Sequence, residues 1–374
     1  MTETEELYQY IEDRKQKLLK GGVNCIPTPF PSFKYDYPGV ELGTYYLISG
    51  ASKSSKSKIT NFLFLYNTIL YAYYNPDKVR IKIFYALLEE TKRNISLKFL
   101  CYLLFELTGH RVRIDIKTIK SVDESRIVTD AIQDQLQTME YRSIMDFFFS
   151  HVNFIPDRNP TGIFNTLDKY AHEHGKIVKR WNEDLKKEVF HHYEPDDPDE
   201  YVICIVDHVG ILSSERGFNL KQSIDKLSEY LKICRNKYNY IPVVVQQQNS
   251  ETLSLDAYKN NKIRPTQKGC ADSQGPPKDC DIMLGITNPY SFEMKKYPYP
   301  DTPNSPLNYD ITKLKGYARF LEVVLGRDGE SNAILALYFD GATGYYTPLP
   351  KADNLTELNK KYQLIQRIQD SISK

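Results

Sequence analysis

The octapeptide Gly50-Ala51-Ser52-Lys53-Ser54-Ser55-Lys56-Ser57 stands between a short apolar run, Tyr45 to Ser49, and the helical pattern of Ile59 to Tyr74. It departs at one position from G-x-x-x-x-G-K-[ST], the loop in which backbone N–H groups and a helix N-terminus face anionic oxygens. In that loop a lysine meets the β/γ-phosphates and a hydroxyl meets Mg²⁺, the places held here by Lys56 and Ser57. Ser55 replaces the second glycine, where a Cβ hinders close backbone approach or an unusual dihedral. A Ser/Lys-rich turn that merely caps a helix would have the same composition. Three further strand ends carry suitable chemistry. Tyr201 to Val206 is apolar and closes on Asp207, a carboxylate that is costly at a buried strand end unless it has a partner; it could hold a Mg²⁺ shell, or cap a following helix. Ile81 to Leu88 delivers Glu89 and Glu90, of which one could polarise an attacking water or both could open the next helix. Pro242 to Val245 runs into Gln246-Gln247-Gln248-Asn249, neutral groups suited to sensing a γ-phosphate or to a plain polar loop.

Chemistry of this kind needs one sheet edge on which the strand ends converge. β-rich runs at Tyr45 to Ser49, Arg80 to Leu87, His151 to Ile155, Tyr201 to Val206, Ile241 to Val245 and Ile282 to Ile286 alternate, in their earlier members, with helical stretches such as Ser96 to Leu107, Thr161 to His174 and Leu220 to Lys237. Near-continuously apolar strands separated by helices predict an α/β fold with a buried, mostly parallel central sheet flanked by helices, whose ligands bind at the carboxyl edge. Phe320 to Leu325 and Ala333 to Phe339 lie close enough to form an antiparallel pair at one edge. Glu5 to Leu19 reads as a charged helix ended by Gly21-Gly22, and Cys25 to Gly43, with four prolines, reads as a linker. Glu194 to Glu200 and Pro289 to Pro306 read as surface loops. A final helical segment, Leu355 to Ser371, has Leu358, Tyr362, Ile365 and Ile368 near one face. Residues 1–21 are therefore expected to be an N-terminal helix, 22–350 the catalytic domain and 351–374 a helical tail.

Composition excludes several function classes. With 49 Lys+Arg against 48 Asp+Glu, the net charge of +1 favours no partner. The longest apolar stretch, Phe62 to Tyr74, is interrupted by Asn67 and Thr68 and falls short of the roughly 20 residues that a bilayer requires. Six scattered cysteines form no disulfide framework, and no zinc spacing is present. A soluble protein of a reducing cytoplasm is the expectation.

Taken in order, these segments resemble the RecA-like motor domain of DnaB-type replicative helicases, the phage-encoded versions above all. The resemblance spans Gly22 to Pro348. It rests on the phosphate loop, on Phe84-Tyr85-Ala86-Leu87-Leu88-Glu89-Glu90-Thr91, on Ile205-Val206-Asp207-His208-Val209-Gly210-Ile211-Leu212, and on Val245-Gln246-Gln247-Gln248-Asn249. Asp279-Cys280-Asp281-Ile282-Met283-Leu284 is similar to the family's D-A-D-x-V segment, and Glu322 to Gly329 resembles the strand and turn that present an arginine finger. The resemblance implies ATP and Mg²⁺ as cofactors, Lys56 on the phosphates, Ser57 and Asp207 around the metal, Glu89 as general base and Gln247 as γ-phosphate sensor. It also implies that Arg327 reaches the nucleotide of a neighbouring subunit, as an arginine supplied in trans does in phosphoryl transfer. Glu5 to Leu19 looks like the helix that packs on that neighbour. Two positions depart from the family: Ser55, and Leu325, where a lysine usually precedes the finger arginine by two residues.

The family threads single-stranded DNA through a ring, a hexamer by the same resemblance, and holds it with loops after two of the strands. Here those are Ser213 to Gln222, with Arg216 and Lys221, and Ser250 to Gln274, where Lys259, Lys262, Arg264 and Lys268 follow one another without an intervening acid. Cations on such loops suit phosphate contact without base readout. The expected activity is ATP-dependent unwinding with 5′ to 3′ translocation by a homo-oligomer, with a primase or helicase loader as a further partner. The rival is a RecA-like ATP-binding assembly or recombination protein that does not unwind.

Overall fold

A computed structural model describes residues 2–249, 263–298, 308–327 and 333–372. A nine-stranded sheet forms its centre. In chain order its strands are β1 (Tyr46–Gly50), β2 (Arg80–Ala86), β3 (Val152–Ile155), β4 (Glu200–Val206), β5 (Ile241–Gln247), β6 (Ile282–Thr287), β7 (Ala318–Gly326), β8 (Ile334–Asp340) and β9 (Tyr345–Pro348). Their spatial order is β9-β8-β7-β6-β1-β5-β4-β2-β3. The run from β6 to β3 is parallel throughout, so the carboxyl ends of β1, β2, β4 and β5 share one edge. From β6 to β9 every pairing is antiparallel. The expected pairing of β7 with β8 is present, although β9, not that pair, closes the sheet.

Strand periodicity divides the core. On β1, Tyr46 and Ile48 join one buried cluster while Leu47 joins the other, and β4 alternates in the same way from Tyr201 to Val206. The first face is covered by the helices around Ile59–Ala72, by α2 (Lys92–Leu107) and by residues of Met139–His151. The second is covered by α3 (Pro160–Glu173) and α4 (Leu220–Tyr238). Between Lys56 and Tyr74 the helix, α1, is not uniform, because Asn61–Tyr66 forms a π-helical turn with all six residues buried.

Three segments differ from the sequence expectation. Cys25 to Gly43 is a docked hairpin, in which Cys25–Pro27 pairs with Gly39–Glu41 and Phe30, Phe33 and Tyr37 are buried. Its prolines lie at strand ends and turns, where no ladder hydrogen bond is lost. Gly175–Asn182 and Lys187–Pro195 form a two-stranded antiparallel ribbon, so Glu194 and Pro195 are strand residues and Glu200 opens β4. In the Pro289 to Pro306 region, Lys296–Pro298 pairs with Asn308–Asp310, and Met294 and Tyr297 are buried in a third cluster with Tyr309 and Phe320. The C-terminal helix Leu355–Ile372 packs Leu358 and Ile365 into that same cluster.

Candidate phosphate-binding site

The loop leaves the carboxyl end of β1 and returns as a helix at Lys56–Thr60. Gly50 is packed so closely that a Cβ there would lie 2.4 Å from the Ile286 carbonyl and 2.5 Å from the Ser54 hydroxyl, which only glycine avoids. Ser55 precedes the helix at φ 78° and ψ 29° and makes no side-chain cap bond, so the capping alternative does not describe it. The position demands the left-handed conformation that the missing glycine would adopt freely and that costs other residues roughly 1–2 kcal/mol. Here the Ser55 Oγ accepts from Arg319 Nε at 2.9 Å, and the Ser55 carbonyl accepts from the Tyr346 hydroxyl at 3.4 Å.

Lys56 is buried and folds across the loop, its Nζ donating to the Ala51 carbonyl at 2.8 Å. Burial pulls its pKa down, while Asp207 and Glu89 oppose that shift. The Ser57 hydroxyl donates to Asp207 Oδ1 at 3.0 Å. Asp207 is not a helix cap; that role falls to His208, whose Nδ1 accepts from the Gly210 N–H at 3.2 Å. Desolvation pushes the Asp207 pKa up to about 6, the Ser57 hydrogen bond lowers it, and Glu89 and Glu90 raise it again. A buried carboxylate beside a hydroxyl is a hard-oxygen pair of the kind Mg²⁺ takes, so the donor set fits the metal that the resemblance implies.

The two glutamates separate. Glu90 forms an ion pair with Lys98 and its second oxygen is buried. Glu89 is half-exposed, with Oε2 4.0 Å from His208 Nε2. Because His208 Nδ1 is an acceptor, Nε2 carries the ring proton and faces Glu89. Neither acid begins α2, whose cap is Thr91 accepting from the Asn94 N–H. The glutamines separate too. Gln246 Nε2 donates to the Ala271 and Ser273 carbonyls, and Gln248 bonds Ser49 and Thr266. Gln247, between them in the strand alternation, lies in register with Gly50, and its amide is left for the site.

Arg327 stands elsewhere. Gly326 pairs with Ile282 at the amino end of β6, so Arg327 lies at the edge opposite the phosphate loop. Its guanidinium donates to the Cys280 and Lys278 carbonyls at 2.9 and 2.5 Å and lies 3.7 Å from Asp281. Leu325 packs against the second core cluster opposite Met283, an environment that would not accept the lysine usual there. Of the expected DNA-contacting cations, Arg216, Lys221 and Lys268 are exposed. Arg264 instead turns inward, 3.8 Å from the buried Glu322, which removes it from the solvent-facing set. Lys259 and Lys262 lie outside the described residues.

Sequence reasoning missed Arg319. It is 5% exposed, at the loop end of β7, with Nη1 held by the Gly316 and Ala318 carbonyls at 2.9 and 2.7 Å. Its Cζ lies 4.7 Å from the Phe339 ring centre. Burial lowers its pKa to about 10. A lone arginine in an apolar strand gave no sign of a partner 264 residues away, Ser55.

The electrostatics of Asp207 have a measurable consequence. Its folded pKa lies above the ordinary value of 3.8, so the unfolded chain ionises first and stability is lost as pH rises from about 4 through about 6. Asp207→Asn is therefore expected to stabilise the nucleotide- and Mg²⁺-free protein by on the order of 2 kcal/mol at pH 7.5. The gain should vanish near pH 4, as thermal melts at the two pH values would record.

These features define a RecA-like ATPase fold: a phosphate loop, a strand-end aspartate and a strand-end glutamate converging on one edge of a parallel sheet. Among solved structures, the chain is similar to the ATPase domain of a phage DnaB-like helicase, with a TM-score of 0.58 and 13% identity over 93% of this chain and 99% of that one. It is equally similar to a DnaB-like replicative helicase described with its interactions with primase, with a TM-score of 0.58, 13% identity, and coverage of 93% of this chain and 67% of that one. No protein-family profile and no curated protein matches the sequence. None of the described helices is long and apolar enough to cross a membrane.

Proposed function

We propose that this chain is an ATP-driven DNA helicase of the DnaB type, which hydrolyses Mg-ATP at interfaces between identical subunits to translocate on single-stranded DNA. The observation that carries this reading is the convergence of Lys56, Ser57, Asp207 and Glu89 at one sheet edge while Arg327 stands at the other. Lys56 would release Ala51 and bind the β/γ-phosphates, and Gln247 would face the γ-phosphate. Ser57 and Asp207 would hold Mg²⁺, which when bound bridges phosphate oxygens and neutralises developing charge. Glu89 would accept the proton of the attacking water, with the His208 N–H orienting its carboxylate. Arg216, Lys221 and Lys268 would contact DNA phosphates.

Assembly into a ring is supported by the first helix, Glu3–Leu19, whose Leu7, Tyr8, Ile11, Leu18 and Leu19 are all more than half exposed. A hexamer, 5′ to 3′ movement, a primase or loader as partner and a cytoplasmic location all belong to this same reading.

The test is ATP hydrolysis by the purified chain with and without single-stranded DNA, together with unwinding of a forked duplex. Both are expected, and both should be lost in Lys56→Ala, whose removal of a charge-assisted contact should also weaken ATP binding about 10- to 100-fold. DNA-stimulated hydrolysis without unwinding would favour the non-unwinding assembly protein. No hydrolysis and no nucleotide binding would overturn the reading.

A further inference from the structure

We propose that Arg319 is a positioning residue for the phosphate loop, holding Ser55 in the left-handed conformation that a glycine would otherwise supply; the proposal rests on the nucleotide-binding reading above. Both polar handles of Ser55 are held from the antiparallel half of the sheet. Arg319 of β7 binds its hydroxyl at 2.9 Å and Tyr346 of β9 binds its carbonyl at 3.4 Å.

The guanidinium is itself fixed. Two carbonyls, Gly316 and Ala318, anchor Nη1, and the Phe339 ring lies beneath it, stacked in turn on Tyr346 at 4.6 Å between centroids. Among the described residues no carboxylate lies within ion-pair distance of Arg319. Its buried charge is therefore directed at neutral acceptors, one of which is the Ser55 hydroxyl. A hydrogen bond to a charged donor is stronger than a neutral one, which suits a bond that must offset an unfavourable backbone dihedral. Lys56 and Ser57 follow Ser55 directly, so the dihedrals of Ser55 set the direction in which both side chains leave the loop.

Geometry of this kind makes glycine, serine and alanine at residue 55 behave differently. Ser55→Gly needs no hydrogen bond to reach φ 78° and is expected to bind ATP as tightly as the wild type. Ser55→Ala keeps the Cβ, loses the acceptor, and is expected to bind about 10-fold more weakly. Arg319→Met should match Ser55→Ala, Arg319→Lys should recover part of the loss, and the double variant Ser55→Gly/Arg319→Met should regain wild-type affinity.

Two readouts on the full-length chain test this: affinity for a fluorescence-labelled ATP analogue with Mg²⁺, and hydrogen exchange of the amides of residues 53–57 without nucleotide. Faster exchange in Ser55→Ala but not in Ser55→Gly supports the proposal even if the chain binds no nucleotide, a result that would remove only the functional reading. Equal exchange and affinity in Ser55→Ala and wild type overturns it. So does a defect of Arg319→Met that persists undiminished in the Ser55→Gly background, which would instead mean direct contact between Arg319 and the nucleotide. The Ser55 pair decides the matter if Arg319→Met does not fold.

Discussion

Arg327→Ala should leave ATP binding within a few-fold of wild type and cut hydrolysis by about 10³- to 10⁵-fold, the range found where an arginine is supplied to a phosphoryl-transfer site. The sheet provides the reason. β1 separates the two edges by roughly 13 Å at about 3.3 Å per residue, and the Arg327 guanidinium rests on carbonyls at the far edge. It cannot reach the phosphate loop of its own chain, so a catalytic contribution must be made to another subunit. Mixing follows from this. Arg327→Ala subunits combined with Lys56→Ala subunits should regain part of the lost activity, because some interfaces would pair an intact loop with an intact arginine. ATPase assays of each variant alone and after reassembly on single-stranded DNA measure it. No recovery in confirmed mixed oligomers, or full activity of Arg327→Ala alone, would show a self-contained site.

Glu89→Gln is expected to bind Mg-ATP while hydrolysis falls by about 10²- to 10⁴-fold, the usual loss when an acid–base group is neutralised. Glu90→Gln should stay within a few-fold of wild type in hydrolysis, since Glu90 is committed to Lys98. The contrast comes from neighbours alone: the two residues are adjacent, but one faces Lys98 and the other faces His208. Single-turnover hydrolysis of the two variants separates them. The opposite pattern would move the base by one residue.

The parallel half of the sheet was legible because its strands are buried on both sides and therefore read as continuous apolar runs from Tyr45 to Ile286. The antiparallel ribbon of residues 175–195 was not, since Lys176, Lys179, Arg180, Lys187 and Glu188 leave no alternation for a period-two reading to detect. The proline-rich segments misled for a different reason. Phe30, Phe33, Tyr37 and Tyr297 bury rings that composition weighed less than the prolines around them. In the site, residue types announced the phosphate loop and the strand-end acids, whereas the division of labour between Glu89 and Glu90, or among the three glutamines, depends on contacts with Lys98, Ala271 and Thr266 that lie elsewhere in the chain. Arg264 shows the limit of counting charges, because its partner Glu322 sits on another strand.

The ribbon also carries the chain's one tryptophan, Trp181, 57% exposed. The ribbon leads into the amino end of β4, across the sheet from the phosphate loop. Intrinsic emission excited at the indole band will thus come from a single wet fluorophore remote from the nucleotide, and titration with ATP should barely change it. A blue shift or a change in anisotropy would signal that something has covered the ribbon, giving an optical channel for association events that is separate from catalysis.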